Sequence, residues 1–208
     1  MKKILTVVLA MCCLIGMTGC GREPLDYDVL VNKTNPISED FIKSAEMVSV
    51  TTVYGDETLI EKAAYQAYLE LHDVLLKEGI EIGVDSGYRS IEEQQSIMDD
   101  FIKQYGSEYA AKTVAKPGTS EHHTGLAVDI VPKVNGEWIV ENEDMLKQTE
   151  IFSVIHNKLP EFGFILRYPE GKKEITGYDY EAWHIRYVGK KAAQKILREH
   201  LTLEEYLK

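Results

Sequence analysis

The sequence predicts an α+β fold: a single domain built on a mainly antiparallel central sheet flanked by helices. Three observations carry that expectation. Apolar residues recur at helical spacing in some segments and alternate in others, without the regular strand–helix rhythm of a doubly wound parallel sheet. Asn135-Gly136 stands before an alternating stretch, a strong short-range sign of a hairpin. The 208 residues are 44% hydrophobic and 27% charged, which is ordinary globular composition and enough chain for one good-sized core.

The chain starts with Met1-Lys-Lys and an apolar run from Ile4 to Met17, too short to span a bilayer comfortably as a mature helix. Thr18-Gly19-Cys20 follows, then Arg22 and Glu23. Small residues before a cysteine resemble the lipobox of bacterial lipoproteins, although Met17 stands where leucine is commoner. That resemblance implies a signal peptide over residues 1–19, cleavage before Cys20, and lipid on Cys20. The protein would then be extracytoplasmic, lipid-anchored to the outer face of the bacterial cytoplasmic membrane. Residues 20–58 read as the lipidated tether, roughly a dozen residues long, and a lead-in that packs on the domain. The domain itself is expected over 59–208.

All three cysteines, Cys12, Cys13 and Cys20, precede the body of the chain, which therefore has no disulfide and no thiolate ligand. Any metal must be bound through nitrogen and oxygen. A net charge of −11 excludes an electrostatic nucleic-acid binder, and no Lys/Arg cluster suggests a phosphate-binding surface.

Taken in order, Val48–Val53 can form a short strand in the lead-in. Leu59, Ala63, Ala67, Leu71, Val74 and Leu75 predict an amphipathic core helix over 59–77, stopped by Gly79. Ile80–Asp85 alternates as a strand. Ser90 and Glu93 form a capping box for a helix running to about Tyr105, which leaves Arg89 at a strand-to-helix turn. A short helix is expected over 107–115 and a turn at Pro117-Gly118.

Leu126–Val131 reads as a strand on which Ala127 and Asp129 share one face while Leu126, Val128 and Ile130 share the other. Glu137–Val140 is the returning strand of the hairpin. A helix is expected over 145–159, a strand over 164–168, and a polar loop over 169–180 that could border a groove. In the last strand, Trp183–Val188, His184, Arg186 and Val188 share a face. A helix over 190–200 and a final turn capped by Thr202 close the chain.

Two stretches carry chemistry. Ser120-Glu-His-His-Thr-Gly-Leu-Ala-Val-Asp129 places a histidine and a carboxylate on either side of a glycine, and Glu181-Ala-Trp-His184 repeats the pairing. Two imidazoles and two carboxylates suffice for a catalytic metal site: three bind the ion with a coordination position open for water, and the fourth moves protons. His72, His156 and His200 lack such company and read as ordinary core or surface histidines.

The pattern Ser120-x-His122-x-x-Gly125-x-Ala127-x-Asp129, followed by Glu181-x-Trp183-His184, is similar to the VanY-like D-alanyl-D-alanine carboxypeptidases. These sit within the lysostaphin, D-Ala-D-Ala metallopeptidase and hedgehog-like zinc proteins. Ser86-Gly-Tyr-Arg-Ser90 and the Tyr168–Tyr178 loop also resemble that family, and the likeness extends over roughly residues 60–200. Ala182 departs from it, since proline is usual there.

The resemblance implies a hedgehog/DD-peptidase-like fold and one Zn2+ per chain, bound by His122, Asp129 and His184. It implies Glu181 as general base and acid, and Arg89 at the scissile carbonyl or the substrate carboxylate. Ser120 and Tyr88 join Arg89 among the substrate contacts. His123 is the rival ligand, but the pattern sets the ligand at the first histidine of the pair. The implied reaction is removal of the C-terminal D-alanine from peptidoglycan stem peptides, D,D- or L,D-specific, by a monomer. A peptidoglycan endopeptidase and a non-catalytic zinc-containing wall-binding module are the alternatives.

Overall fold

The computed structural model describes residues 25–208. The signal peptide and the lipidated Cys20 expected from the sequence lie outside the described residues. Among the described residues, no helix is long and apolar enough to cross a membrane.

The elements in order are α1 (Glu39–Ser44), β1 (Met47–Thr51), β2 (Glu57–Glu61), α2 (Lys62–Lys77), β3 (Ile82–Ser86), α3 (Ile91–Tyr105) and α4 (Ser107–Thr113). A 3-10 turn (Glu121–Thr124), β4 (Ala127–Val134), β5 (Glu137–Trp138), α5 (Asn142–Met145), α6 (Thr149–Lys158) and β6 (Phe164–Leu166) follow. The chain ends with α7 (Lys173–Thr176), β7 (His184–Tyr187), α8 (Lys190–Glu199) and α9 (Leu203–Tyr206). The central sheet runs β3-β4-β7-β6, antiparallel throughout, with β5 folded back on the far end of β4. β1 and β2 form a separate antiparallel hairpin. This is the α+β arrangement the sequence predicts.

Register explains how the sheet divides its two faces. Val128 pairs with Ile185 and Val84 with Ile130, and all four are buried in the main core. That core is closed by α2 through Leu71 and Leu75 and by α6 through Phe152 and Ile155. The alternate residues point the other way. Asp129 pairs with both Ser86 and His184, and Ala127 pairs with Arg186. One face of the sheet is therefore apolar, and the other carries the polar groups.

The polar loop expected over 169–180 contains the short helix α7, and three further departures from the expected elements have a physical reason. The helix expected from Leu59 starts at Lys62, because residues 57–61 pair with β1 and the Glu61 carboxylate caps the helix, accepting from the N–H groups of Ala63 and Ala64. The helix expected over 145–159 starts only at Thr149, as α6, and Met145 ends the separate short helix α5. The backbone leaves helical geometry at Gln148 (φ −85°, ψ 45°), yet Met145 and Phe152 both stay buried, so the apolar pattern survives the break. The returning strand is only two residues long. Ile139 still donates to the Pro132 carbonyl at 3.0 Å, but proline has no N–H to donate back.

The lead-in is docked from its first described residues. Leu25, Tyr27 and Val29 pack against the core, and Val31 is fully buried. Arg186 donates to the carbonyls of Tyr27 (3.0 Å) and Val29 (2.8 Å), and Asn32 donates to Glu204 at 3.1 Å. The packed segment thus begins earlier than a dozen-residue tether after Cys20 would allow.

Candidate metal centre

His122 is delivered by the 3-10 turn. Ser120 caps that turn, its Oγ accepting from the His122 N–H at 3.3 Å. Gly125 ends it in the left-handed region (φ 69°), which turns the chain directly into β4. His122 Nδ1 lies 2.6 Å from the Gly87 carbonyl, so Nδ1 carries the proton and Nε2 presents its lone pair. Nε2 sits 3.2 Å from Asp129 Oδ2.

Asp129 comes from β4, and His184 opens β7 directly opposite it. His184 Nδ1 is 3.0 Å from Asp129 Oδ1 and 3.7 Å from Glu181 Oε2. The donor atoms of His122, Asp129 and His184 all fall within 4.8 Å of one another. Despite its short approach to His184, Asp129 Oδ1 is buried and accepts no hydrogen bond. Two imidazole lone pairs and a carboxylate oxygen aimed at shared space, and not at each other's protons, fit a divalent cation with nitrogen and oxygen ligands. In the metal-free site burial alone would raise the Asp129 carboxyl, but the positive charge of the protonated imidazoles of His122 and His184 holds it well below the ordinary carboxylate range, and a bound cation would take the place of that charge.

Glu181 stands beside this trio. Its backbone N–H donates to the Tyr168 carbonyl at 3.2 Å, which fixes the approach to β7. Burial pushes its carboxyl up to about 7, offset only in part by His184. A group poised there both accepts and returns a proton at neutral pH. Ala182, where the resemblance leads one to expect proline, is buried, and its carbonyl lies 2.9 Å from His156 Nε2. A hydrogen bond thus holds this approach in place of a rigid ring.

The centre opens into a cleft of about 300 Å³ whose walls include Arg89, Gln94, Ser120, Tyr168, Tyr178 and Glu181. Arg89 is braced by Gln94 Oε1 (2.9 Å) and Ser86 Oγ (3.4 Å), and its backbone N–H donates to the His122 carbonyl. Tyr88 does not line this cleft; it borders an adjoining depression with Ser86, Arg89 and Glu93. His123 points away. Its Nε2 accepts from the Gly118 N–H and its Nδ1 donates to the Arg89 carbonyl, so both ring nitrogens are used on backbone.

Sequence reasoning missed Gln94, Tyr168 and Glu121. Gln94 lies one helical turn past the Ser90 cap, on the side of α3 that meets Arg89. Tyr168 places its ring against His184, centroids 4.8 Å apart. Glu121 is buried beneath His184 and reaches Arg167 and Arg186. The sequence held one signal for it: Arg186 shares the strand face of His184, and a buried guanidinium needs an anionic partner.

Comparison with known proteins agrees with this geometry. The family model for VanY, D-alanyl-D-alanine carboxypeptidase, matches residues 57–190. YodJ of Bacillus subtilis strain 168, named as a carboxypeptidase, is 44% identical over 189 residues, covering 89% of this chain and 68% of that protein. A VanY D,D-pentapeptidase variant from a VanB-type vancomycin-resistance cassette, solved in complex with Zn(II), is 36% identical. It superposes with a TM-score of 0.71 over 88% of this chain and 99% of its own. The LD-carboxypeptidase LdcB is 38% identical with a TM-score of 0.74, over 86% of this chain and 84% of its own. On the family model, the sequence identity and the shared fold together, the chain belongs to the VanY family of D-alanyl-D-alanine carboxypeptidases.

Proposed function

We propose that this protein is a zinc carboxypeptidase that removes the C-terminal D-alanine from peptidoglycan stem peptides. The observation that carries the reading is the meeting of His122, Asp129 and His184 with Glu181, whose Oε2 lies 3.7 Å from His184 Nδ1, at the floor of a cleft that Arg89 also lines. Zinc held by the two imidazoles and the aspartate would supply a Lewis acid that polarises the peptide carbonyl and acidifies water. Glu181 takes the proton from the attacking water as the oxygen–carbon bond forms. It then delivers that proton to the amine of the departing D-alanine as the carbon–nitrogen bond breaks. Arg89, held by Gln94 and Ser86, keeps donors free for the terminal carboxylate of the peptide. A cleft of about 300 Å³ suits a short peptide end.

The leader pattern ending at Cys20 supports a location on the outer face of the cytoplasmic membrane, where such peptides are found. Retention in the membrane fraction, and its loss in Cys20→Ser, is the measurement for that part.

The test of activity is release of free D-alanine by the purified protein with added zinc. A pentapeptide ending in D-Ala-D-Ala and a tetrapeptide ending after one D-alanine separate D,D from L,D specificity. Glu181→Gln should reduce turnover about 10²- to 10⁴-fold while one zinc stays bound. Cleavage of cross-linked dimers into stems with no free alanine, or full activity in Glu181→Gln, would overturn the reading.

A further inference from the structure

We propose that Glu121 is a positioning residue for His184, fixing the ring and its tautomer through a carboxylate that two buried arginines hold in place. The inference rests on His184 being a metal ligand. His184 turns Nδ1 toward the space it shares with Asp129 and Glu181; as a metal ligand Nδ1 must keep its lone pair there, and the proton of the neutral ring must then reside on Nε2. That Nε2 is buried and makes no hydrogen bond; the group facing it is Glu121 Oε2, at 3.6 Å. Glu121 Oε2 is itself buried and has no other partner. An N–H donor and a carboxylate oxygen, both cut off from water, need approach by only about 0.7 to 0.9 Å to form a charge-assisted bond.

The other oxygen shows how the carboxylate is kept aimed. Glu121 Oε1 accepts from Arg167 Nε and from Arg186, each at 2.7 Å, and none of the three side chains is exposed to solvent. Arg167 spends its remaining donors on Glu204, at 2.9 and 2.6 Å, while Arg186 reaches the carbonyls of Tyr27 and Val29. Both arginines thus bond one oxygen and leave the other for the imidazole. A cluster serving stability alone would gain by bonding both. His122 is oriented differently, by the neutral Gly87 carbonyl. A carboxylate behind His184 makes that imidazole the more strongly donating of the two.

Glu121→Gln is a sharp test because it keeps shape. The arginines require the amide oxygen, so the amide NH2 falls opposite His184 Nε2, donor against donor. In the full-length protein, zinc affinity by competition with a chromophoric chelator should fall about 10- to 100-fold, and the visible spectrum of the cobalt-substituted protein should change. Glu121→Gln with Arg186→Met restores a neutral cluster. If thermal stability returns in the pair while zinc binding stays weak, the positioning role stands. If affinity returns with stability, the role is structural and the inference fails. Long-range ¹H–¹⁵N NMR of the zinc-loaded wild type reads the tautomer without any substitution: Nε2–H is expected at His184, and Nδ1–H would overturn the proposal. Failure of the wild type to bind one zinc, or normal binding in His184→Ala, would instead refute the metal centre itself.

Discussion

Glu181 shows how a single partly buried carboxylate trades stability for chemistry. Its carboxyl lies at about 7 in the folded protein against an ordinary 4.5, because burial disfavours the charged form. The folded state therefore holds the proton more tightly than the unfolded state does. Stability from this group is complete below pH 4.5 and is lost as pH rises through about 7. In metal-free protein, Glu181→Gln should melt increasingly above wild type between pH 5 and pH 8.5; thermal midpoints across that range check it, and a constant gap would contradict it. Gly125 is a second position where one atom matters. A Cβ there would meet Met47 Sδ at 2.6 Å and the Glu61 nitrogen at 3.1 Å, on a backbone with φ of 69°. Gly125→Ala should lower unfolding free energy by about 1 to 3 kcal/mol in urea titration and weaken zinc binding, since the same turn carries His122.

Helix α3 links a local sequence signal to the cleft. Ser90 and Glu93 make a reciprocal capping box, and one turn later Gln94 braces Arg89 while its amide donates to the Ala115 carbonyl at 2.9 Å. Ser90→Ala should destabilise the protein by about 1 kcal/mol and raise KM for the peptide with zinc affinity unchanged; kinetics at saturating zinc separate the two. Features of this kind were legible in the sequence because their determinants are neighbours in the chain. The Ser90 cap, the Asn135-Gly136 turn, the Thr202 cap and the strand faces that carry Asp129 and His184 follow from spacing along the chain, whereas the meeting of those two residues was implied by the family resemblance. What could not be read depends on distant partners. Leu59 and Ile60 suit a helix or a strand equally, and only pairing with Ser49 and Val48 decides it. Glu121 looked like a spacer between Ser120 and His122, because its arginines arrive from 46 and 65 positions away.

Across the described domain, the lead-in and the C-terminal segment meet behind the candidate metal centre. Tyr27 and Val29 receive Arg186, Asn32 donates to Glu204 next to α9, and Lys33 reaches the Gly177 carbonyl at 2.7 Å with its ammonium 4.3 Å from the Tyr178 ring. Asn32→Ala removes one of the two hydrogen bonds that Glu204 Oε1 accepts, the other coming from Arg167, and should cost about 1 to 3 kcal/mol in chemical denaturation. Removing zinc with a chelator should lower the thermal midpoint, because the ligands converge only in the folded chain; free zinc at 1,000 times Kd contributes about 4 kcal/mol. Early docking of the lead-in also bears on reach. With Cys20 lipidated as proposed, five peptide steps separate the anchor from Leu25, at most about 18 Å of extended chain. Under that proposal a leash that short would keep the enzyme close to the bilayer. Freshly exported strands would be trimmed and the older outer wall left untouched, and a Gly-Ser insertion after Cys20 should widen the zone of trimming.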